Sequence, residues 1–291
     1  MDIVHVPLAT AGQPQISAGN ISFVDYSDRG SPFRNRVFFD SYAFSFVQHG
    51  QKRIYRAAGS TTLTEGYGML IPEGNSIIAE HSDTDALYSS FIVFFPGQMG
   101  RDFLASRTLP QKPEKPEAPY IHFKTDAYIR EYVRHIRSLI QMRQSLSVEI
   151  AKLKLNELLT ATYELAPELL SAVFGKGTAA SLQNLVEQNL LTPLSLDELA
   201  FLCNRSLSSF KRDFMQAYGL SPQKYIRERR LEMACAELAK GKLASELYLD
   251  YGYEHVANFN TAFKRKFGVT PADYRKAAGM GFSQKFLDVS Q

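Results

Sequence analysis

Phe210 to Tyr225 reads FKRDFMQAYGLSPQKY, and Phe259 to Tyr274 reads FNTAFKRKFGVTPADY. At a constant offset of 49 positions, Phe210, Phe214, Tyr218, Gly219, Leu220, Ser221, Pro222 and Tyr225 return as Phe259, Phe263, Phe267, Gly268, Val269, Thr270, Pro271 and Tyr274. Each pair keeps its physical character, so the chain contains one structural unit twice.

Caps and spacing give each copy its elements. Ser195-Leu196-Asp197-Glu198 spells a capping box and predicts a short helix from about Leu196 that buries Leu199, Ala200, Leu202 and Cys203. Asn204-Arg205 turns the chain, and Ser206 caps a second helix in which Leu207, Phe210, Phe214 and Tyr218 form one apolar stripe. Gly219 suits the left-handed position that stops a helix, and Ser221-Pro222 starts the next. The second copy predicts a short helix over Leu247 to Tyr251, a turn at Gly252-Tyr253-Glu254, and a second helix from Val256 to Phe267. Gly268 stops that helix, and Thr270-Pro271 opens the last one. Two short helices joined by a tight turn, the second polar on its outer face, describe a helix-turn-helix. One copy alone says little, because helical proteins often pack this way; two at fixed spacing say much more.

These residues resemble the signature of the AraC/XylS transcriptional regulators. The resemblance is carried by Leu199-Ala200, Ser206, Phe210, Phe214 and Gly219 in the first motif, and by Arg230-Leu231 and Ala234 in the linking helix. It continues through Gly252-Tyr253, Phe259, Phe263-Lys264, Phe267-Gly268-Val269, Pro271 and Tyr274-Arg275 in the second motif. It implies an all-α DNA-binding domain whose helices Ser206 to Tyr218 and Val256 to Phe267 enter successive major grooves, about 34 Å apart. A linking helix over Pro222 to Leu238 would hold them. Carried over residue by residue, the base-reading positions are Ser208, Ser209, Lys211 and Arg212, with Val256, Ala257, Asn258, Asn260 and Thr261 in the second helix. Arg212 or Lys211 suits guanine O6 and N7, Asn258 or Asn260 suits adenine, and Val256 or Thr261 suits a thymine methyl. Lys264, Arg265, Lys266, Arg227, Arg229 and Arg230 are left for phosphate or for ion pairs, with an internal ion pair expected of Arg230. Tyr248 departs from the family, which usually has alanine there; its ring is expected to tilt the second motif or to project outward. The family mostly recruits RNA polymerase, so the resemblance implies an activator on promoter DNA.

The remaining chain completes the expectation. A length of 291 residues suggests two domains. With 45% hydrophobic and 22% charged residues and a net charge of only +3, any basic footprint must be local. No run approaches the roughly 18 apolar residues of a membrane helix, and the N-terminus lacks the basic start of a signal peptide, so a cytoplasmic protein without a membrane partner is expected. Cys203 and Cys235 read as small buried hydrophobes rather than a disulfide.

Residues 20–95 read as short strands, at Val37-Phe38-Phe39, Tyr42 to Val47, Arg53-Ile54-Tyr55, Thr61 to Thr64, Met69-Leu70-Ile71, Ser76-Ile77-Ile78 and Tyr88 to Phe95. The expected fold is α+β. An antiparallel β-barrel at about 20–95 and helices at about 125–174 form a domain over 1–174, and a linker at 175–178 leads to the DNA-binding domain at 179–291. The segment Gly66 to Asn75 resembles the cupin-like sensor domains of AraC regulators. Phe44, Phe46, Tyr55, Met69, Phe91 and Phe94 then either wall a pocket for an apolar or amphiphilic effector or simply fill the core. Control of this domain by a protein partner is the alternative. A metal-dependent cupin enzyme would need converging imidazoles, and His5, His49, His81, His122, His135 and His255 are scattered. No metal, cofactor or catalytic residue is therefore expected.

Prolines at every third position from Pro110 to Pro119 predict an extended strap. Two helices follow, with stripes at Ile129, Tyr132, Val133, Ile136, Leu139 and Ile140, and at Ile150, Leu153, Leu158 and Ala161. The pair resembles the family's dimerisation element, which implies a homodimer; packing on the barrel is the other reading. Ala166-Pro167 ends the second helix, and Leu169 to Phe174 adds a short third.

Overall fold

The structure, a computed structural model, describes residues 2–28, 34–81, 88–107, 122–174 and 181–279. It divides into two compact units, one over Met1–Ser181 with Phe201–Asn204, the other over Leu182–Ala200 and Arg205–Gln291. The proline strap, the linker at 175–178 and the domain start at Ala179 lie outside the described residues.

The first unit contains β1 (Ile3–Val6), β2 (Gln15–Ala18), β3 (Ile21–Asp28), β4 (Asn35–Phe39), β5 (Tyr42–His49), β6 (Gln51–Arg56), β7 (Gly59–Thr64), β8 (Tyr67–Ile71), β9 (Gly74–His81), β10 (Tyr88–Phe95) and β11 (His122–Lys124). Five strands form a sheet in the order β1-β4-β9-β6-β7, and six form another in the order β11-β8-β5-β10-β3-β2. The sheets do not close into the expected barrel. Consecutive strands β7 and β8 enter different sheets, where β7 pairs with β6 and β8 with β5, so each sheet keeps open ends. One pairing is parallel, with Ile3 opposite Arg36 in β1 and β4. The short β1, β2 and β11 fall outside the stretch read as strands, and so does α1 (Gly97–Ala105).

The pleat sorts the aromatic strands. On β5 and β10 the cross-strand neighbours Phe44 and Val93, and Phe46 and Phe91, share one face. They join a core with the helices α2 (Ala127–Gln141), α3 (Val148–Leu165) and α4 (Pro167–Phe174). Ala43, Val47, Ile92 and Phe94 point the other way, into a second core that includes Val37, Ile54 and Ile78 of the opposite sheet. The six-stranded sheet is thus covered on both faces, which is why β10 is an almost continuous apolar run. Asp126 caps α2 by accepting from Ile129 N at 2.8 Å, and Ser147 caps α3 by accepting from Ile150 N at 3.2 Å. On α2 the expected stripe is buried except for a half-buried Leu139. On α3 it is rotated: Ala151, Leu155, Leu158, Leu159 and Thr162 are buried, while Ile150 and Leu153 are 45% and 67% exposed.

The second unit is helical, with α5 (Leu182–Gln188), α6 (Leu196–Leu202), α7 (Leu207–Tyr218), α8 (Pro222–Ala239), α9 (Ala244–Leu247), α10 (Val256–Phe267) and α11 (Pro271–Gly279). The expected caps form. Glu198 accepts from Ser195 N at 2.7 Å while Ser195 Oγ accepts from Glu198 N at 3.2 Å, and Ser206 and Ser221 cap α7 and α8. Gly219 and Gly268 take the left-handed conformation that ends α7 and α10. The short helix of the second motif differs from expectation. It is a single turn over Ala244–Leu247, started where Glu246 accepts from Leu243 N at 2.6 Å, and Tyr248 to Tyr251 continue as turns. Among the described residues, no helix is long and apolar enough to cross a membrane.

Candidate nucleic-acid interface

The sequence repeat is repeated in the packing of its rings. In the first motif Phe210 and Phe214 lie 6.0 Å apart at 41°, Phe214 and Tyr218 4.6 Å apart at 50°, and Phe214 and Tyr225 5.4 Å apart at 70°. In the second, Phe259 and Phe263 lie 5.9 Å apart at 41°, Phe263 and Phe267 4.6 Å apart at 50°, and Phe263 and Tyr274 5.6 Å apart at 73°. Tilted and edge-on contacts of this kind fix side-chain geometry as well as burying area. Each cluster locks its second helix, α7 or α10, against the helix that follows. The polar residues between the aromatics are therefore held outward on rigid helices.

On that outward face of α7, Ser208, Lys211 and Arg212 are exposed and Ser209 is half-buried. Both serines take part in the helix start, since Ser206 Oγ lies 3.1 Å from Ser208 Oγ and accepts from Ser209 N at 3.2 Å. Arg212 donates to Ser209 Oγ at 3.1 Å and lies 3.3 Å from Asp213 Oδ1, which also receives Arg205 through its other oxygen at 3.0 Å. The Arg205 bond, with Arg212 adding to it against partial desolvation, holds the Asp213 carboxyl below its ordinary range. On α10, Val256, Ala257, Asn258, Asn260 and Thr261 are all exposed, and Thr261 donates its hydroxyl to Ala257 O at 2.9 Å.

The other cations separate by partner. Arg229 pairs with Glu187 at 2.9 Å and with Glu232, and Lys266 pairs with Glu232 at 3.0 Å. Among the described residues Arg230 makes no ion pair of the expected kind. It donates to two carbonyls, Leu190 O at 2.6 Å and Thr192 O at 3.3 Å, and so ties α8 to the segment after α5. Gly252 lies against it with φ of +80°, and a Cβ there would run into the guanidinium. Arg227, Lys264 and Arg265 are exposed and have no ion-pair partner among the described residues.

A helix-turn-helix domain family matches residues 186–277, and the family of the ExsA N-terminal regulatory domain matches residues 42–172. The virulence regulon transcriptional activator VirF of Yersinia enterocolitica is 27% identical over 162 residues, which are 54% of this chain and 59% of VirF. XylDLEGF operon transcriptional activator 1 of Pseudomonas putida is 33% identical over 122 residues, 40% of this chain and 36% of that protein. Among solved structures, an apo variant of ToxT from Vibrio cholerae aligns over 90% of this chain and 98% of its own, with 12% identity and a TM-score of 0.43. Residues 186–277 thus carry a helix-turn-helix domain and residues 42–172 an ExsA-type N-terminal regulatory domain, and the chain is similar to AraC/XylS-type activators. It spans 59% of the length of VirF.

Against the family pattern, Tyr248 neither sits in a regular helix nor projects freely. The turn of α9 ends at Leu247, and the half-buried Tyr248 ring packs on the second motif's core.

In the N-terminal unit, the six aromatic and methionine positions do not line one cavity among the described residues. Phe44, Phe46 and Phe91 face the helices, Met69 and Phe94 lie between the sheets, and the buried Tyr55 carries Arg53 over its ring at 5.2 Å. Strand alternation makes this division inevitable. Between the sheets lies a cavity of about 120 Å³ whose lining includes Phe39, Ile92 and Phe94 together with Tyr26, Lys52 and Glu80. Lys52 Nζ lies 3.1 Å from Glu80 Oε1 and donates to Ser45 Oγ at 3.3 Å, while the Tyr26 hydroxyl donates to Glu80 Oε2 at 3.3 Å. Burial alone would pull the ammonium down, but Tyr88 and Glu80 outweigh it and hold Lys52 charged. Burial pushes the Tyr88 hydroxyl up to about 12. Composition gives no hint of this buried pair; the signal available was Lys52 sharing the inward face of β6 with Ile54.

Proposed function

We propose that this protein is a one-component, sequence-specific DNA-binding transcriptional regulator of the AraC/XylS type, working in the cytoplasm as an activator of promoters through RNA polymerase. The observation that carries the reading is the helix-turn-helix core built twice with the same ring geometry. Residues 179–291 are its DNA-binding domain, 1–174 its sensor domain and 175–178 the connection between them. α7 reads bases through Ser208, Ser209, Lys211 and Arg212, and α10 through Val256, Ala257, Asn258, Asn260 and Thr261. Since α7 supplies cations and α10 supplies amides and methyls, the two half-sites differ, and one protomer takes an asymmetric site. The protein acts by binding, without catalysis.

The sensor domain answers to a small amphiphilic molecule. The cavity of about 120 Å³ between the sheets, lined by apolar side chains together with Lys52 and Glu80, supports that reading over control by a protein partner. The exposed Ile150 and Leu153 of α3 support a homodimer built on that helix.

In-vitro selection from a random duplex pool with the full-length protein, at two salt concentrations, tests the assignment. Two dissimilar half-sites about one helical turn apart are expected. Salt-sensitive binding with no enriched sequence would remove base reading from the account.

A further inference from the structure

Within the second unit, α8 and α10 border a cleft of about 550 Å³ whose lining contains three arginines, Arg227, Arg230 and Arg265, and no aspartate or glutamate. On this helix pair Lys224, Arg229 and Lys266 meet carboxylates, whereas Arg227, Arg265 and, outside the cleft lining, Lys264 meet none among the described residues. Arg230 is partly buried and spends its donors on carbonyls, so its charge is not neutralised either. The three guanidiniums converge on Tyr253, whose hydroxyl is shut away from solvent without a hydrogen-bond partner. A buried donor without a partner costs free energy unless a ligand supplies the acceptor. A concave cluster of cations with an idle hydroxyl and no acid is a seat for an oxyanion.

The position of the cleft says which oxyanion. Asn258, Thr261 and Arg265 recur at helical spacing along α10 and all line it, so two proposed base-reading residues form its lip. DNA laid against α10 brings its backbone over the cleft mouth. We propose that the cleft is a phosphodiester seat, in which Arg227 and Arg265 clamp a backbone phosphate of duplex DNA beside the groove entered by α10 and the Tyr253 hydroxyl donates to the same group. It rests on the DNA-binding reading above. Contacts of this class fix register without reading sequence. The seat thereby sets how α10, which carries no cation among its reading positions, is pressed into its groove.

The test compares the full-length protein with the Arg227→Gln/Arg265→Gln double variant on the selected duplex over a series of salt concentrations. Each phosphate contact contributes about 0.9 to the slope of log affinity against log salt. The double variant is expected to lose about 2 from that slope while selecting the same sequence. Arg227→Lys/Arg265→Lys, keeping charge, is expected to retain the slope and controls for folding. Tyr253→Phe is expected to weaken binding several-fold at every salt concentration with the slope unchanged, since a neutral hydrogen bond releases no counterion. An unaltered slope in the glutamine variant overturns the seat while leaving DNA binding intact. Absence of specific binding by the wild-type protein would instead fail the underlying reading. Inorganic phosphate supplies the last arm. If it raises the melting temperature only when the arginines are present, and the DNA slope does not depend on them, the cleft takes a free anion and the DNA assignment is overturned.

Discussion

Arg212 and its neighbour Asp213 show how one side chain restrains another. The guanidinium, three-quarters exposed, is parked against a carboxylate that Arg205 already holds. To reach a guanine edge it must leave that contact, at little cost because exposed pairs of this kind contribute about 0–1 kcal/mol. Arg212→Ala is expected to relax discrimination at one base position by roughly 1–3 kcal/mol, read as the affinity ratio between matched and substituted duplexes. Unchanged ratios would remove Arg212 from the reading set. The residue type and position of Arg212 were legible in the sequence, but its tether was not, because nothing in the spacing says that Arg205 and Arg212 share Asp213. The same holds for Arg230. Its partners are backbone carbonyls of a segment about forty positions earlier, and a carbonyl leaves no trace in a sequence.

At the scale of elements, local chemistry decided where helices begin and end, and tertiary contacts decided how firmly. Gly219 and Gly268 stop their helices with positive φ, and nothing crowds the place a Cβ would take. Gly252 has a positive φ too, but there Arg230 fills the space. Gly219→Ala is therefore expected to cost about 1–2 kcal/mol from backbone strain alone, and Gly252→Ala clearly more, by urea unfolding. Equal losses would mean that the Arg230 contact is slack. The packing of α5 on α8 adds a pH dependence. The hydrogen bond from Arg229 holds Glu187 below its ordinary value, with Tyr225 adding to it and burial opposing. At Glu232 burial pushes upward, but hydrogen bonds from Arg229 and Lys266 outweigh it. Carboxylates lowered on folding bind fewer protons in the native state. Their contribution is present above the ordinary value of 4.5 and lost as pH falls through the lower folded values. The melting temperature is expected to drop below about pH 4.5, and less steeply in Glu187→Gln. Identical acid slopes would show that this network does not contribute.

For the molecule as a whole, the amphipathic period located α3 but misjudged its face. Apolar residues ring much of that helix, so Ile150 and Leu153 read as core although Ala151, Leu155, Leu158 and Leu159 are the ones packed into the core with α1, α2 and α4. With Leu153 67% exposed, Leu153→Glu is expected to leave the melting temperature of the protein nearly unchanged and to convert dimer to monomer in analytical ultracentrifugation. A dimer that survives the change would place the interface elsewhere. Local pattern is enough to place the repeated unit, the capped helix starts, the left-handed glycine stops and seven of the strands. Each of these rests on interactions within about four residues or on strict alternation along one strand. Long-range packing set the rest: the sheets stay open, α9 is one turn, Phe44, Phe46 and Phe91 face a different core from Met69 and Phe94, and Lys52 meets Glu80 between the sheets. Those outcomes depend on which distant segments become neighbours, and distant segments impose partners and volumes that no local pattern records.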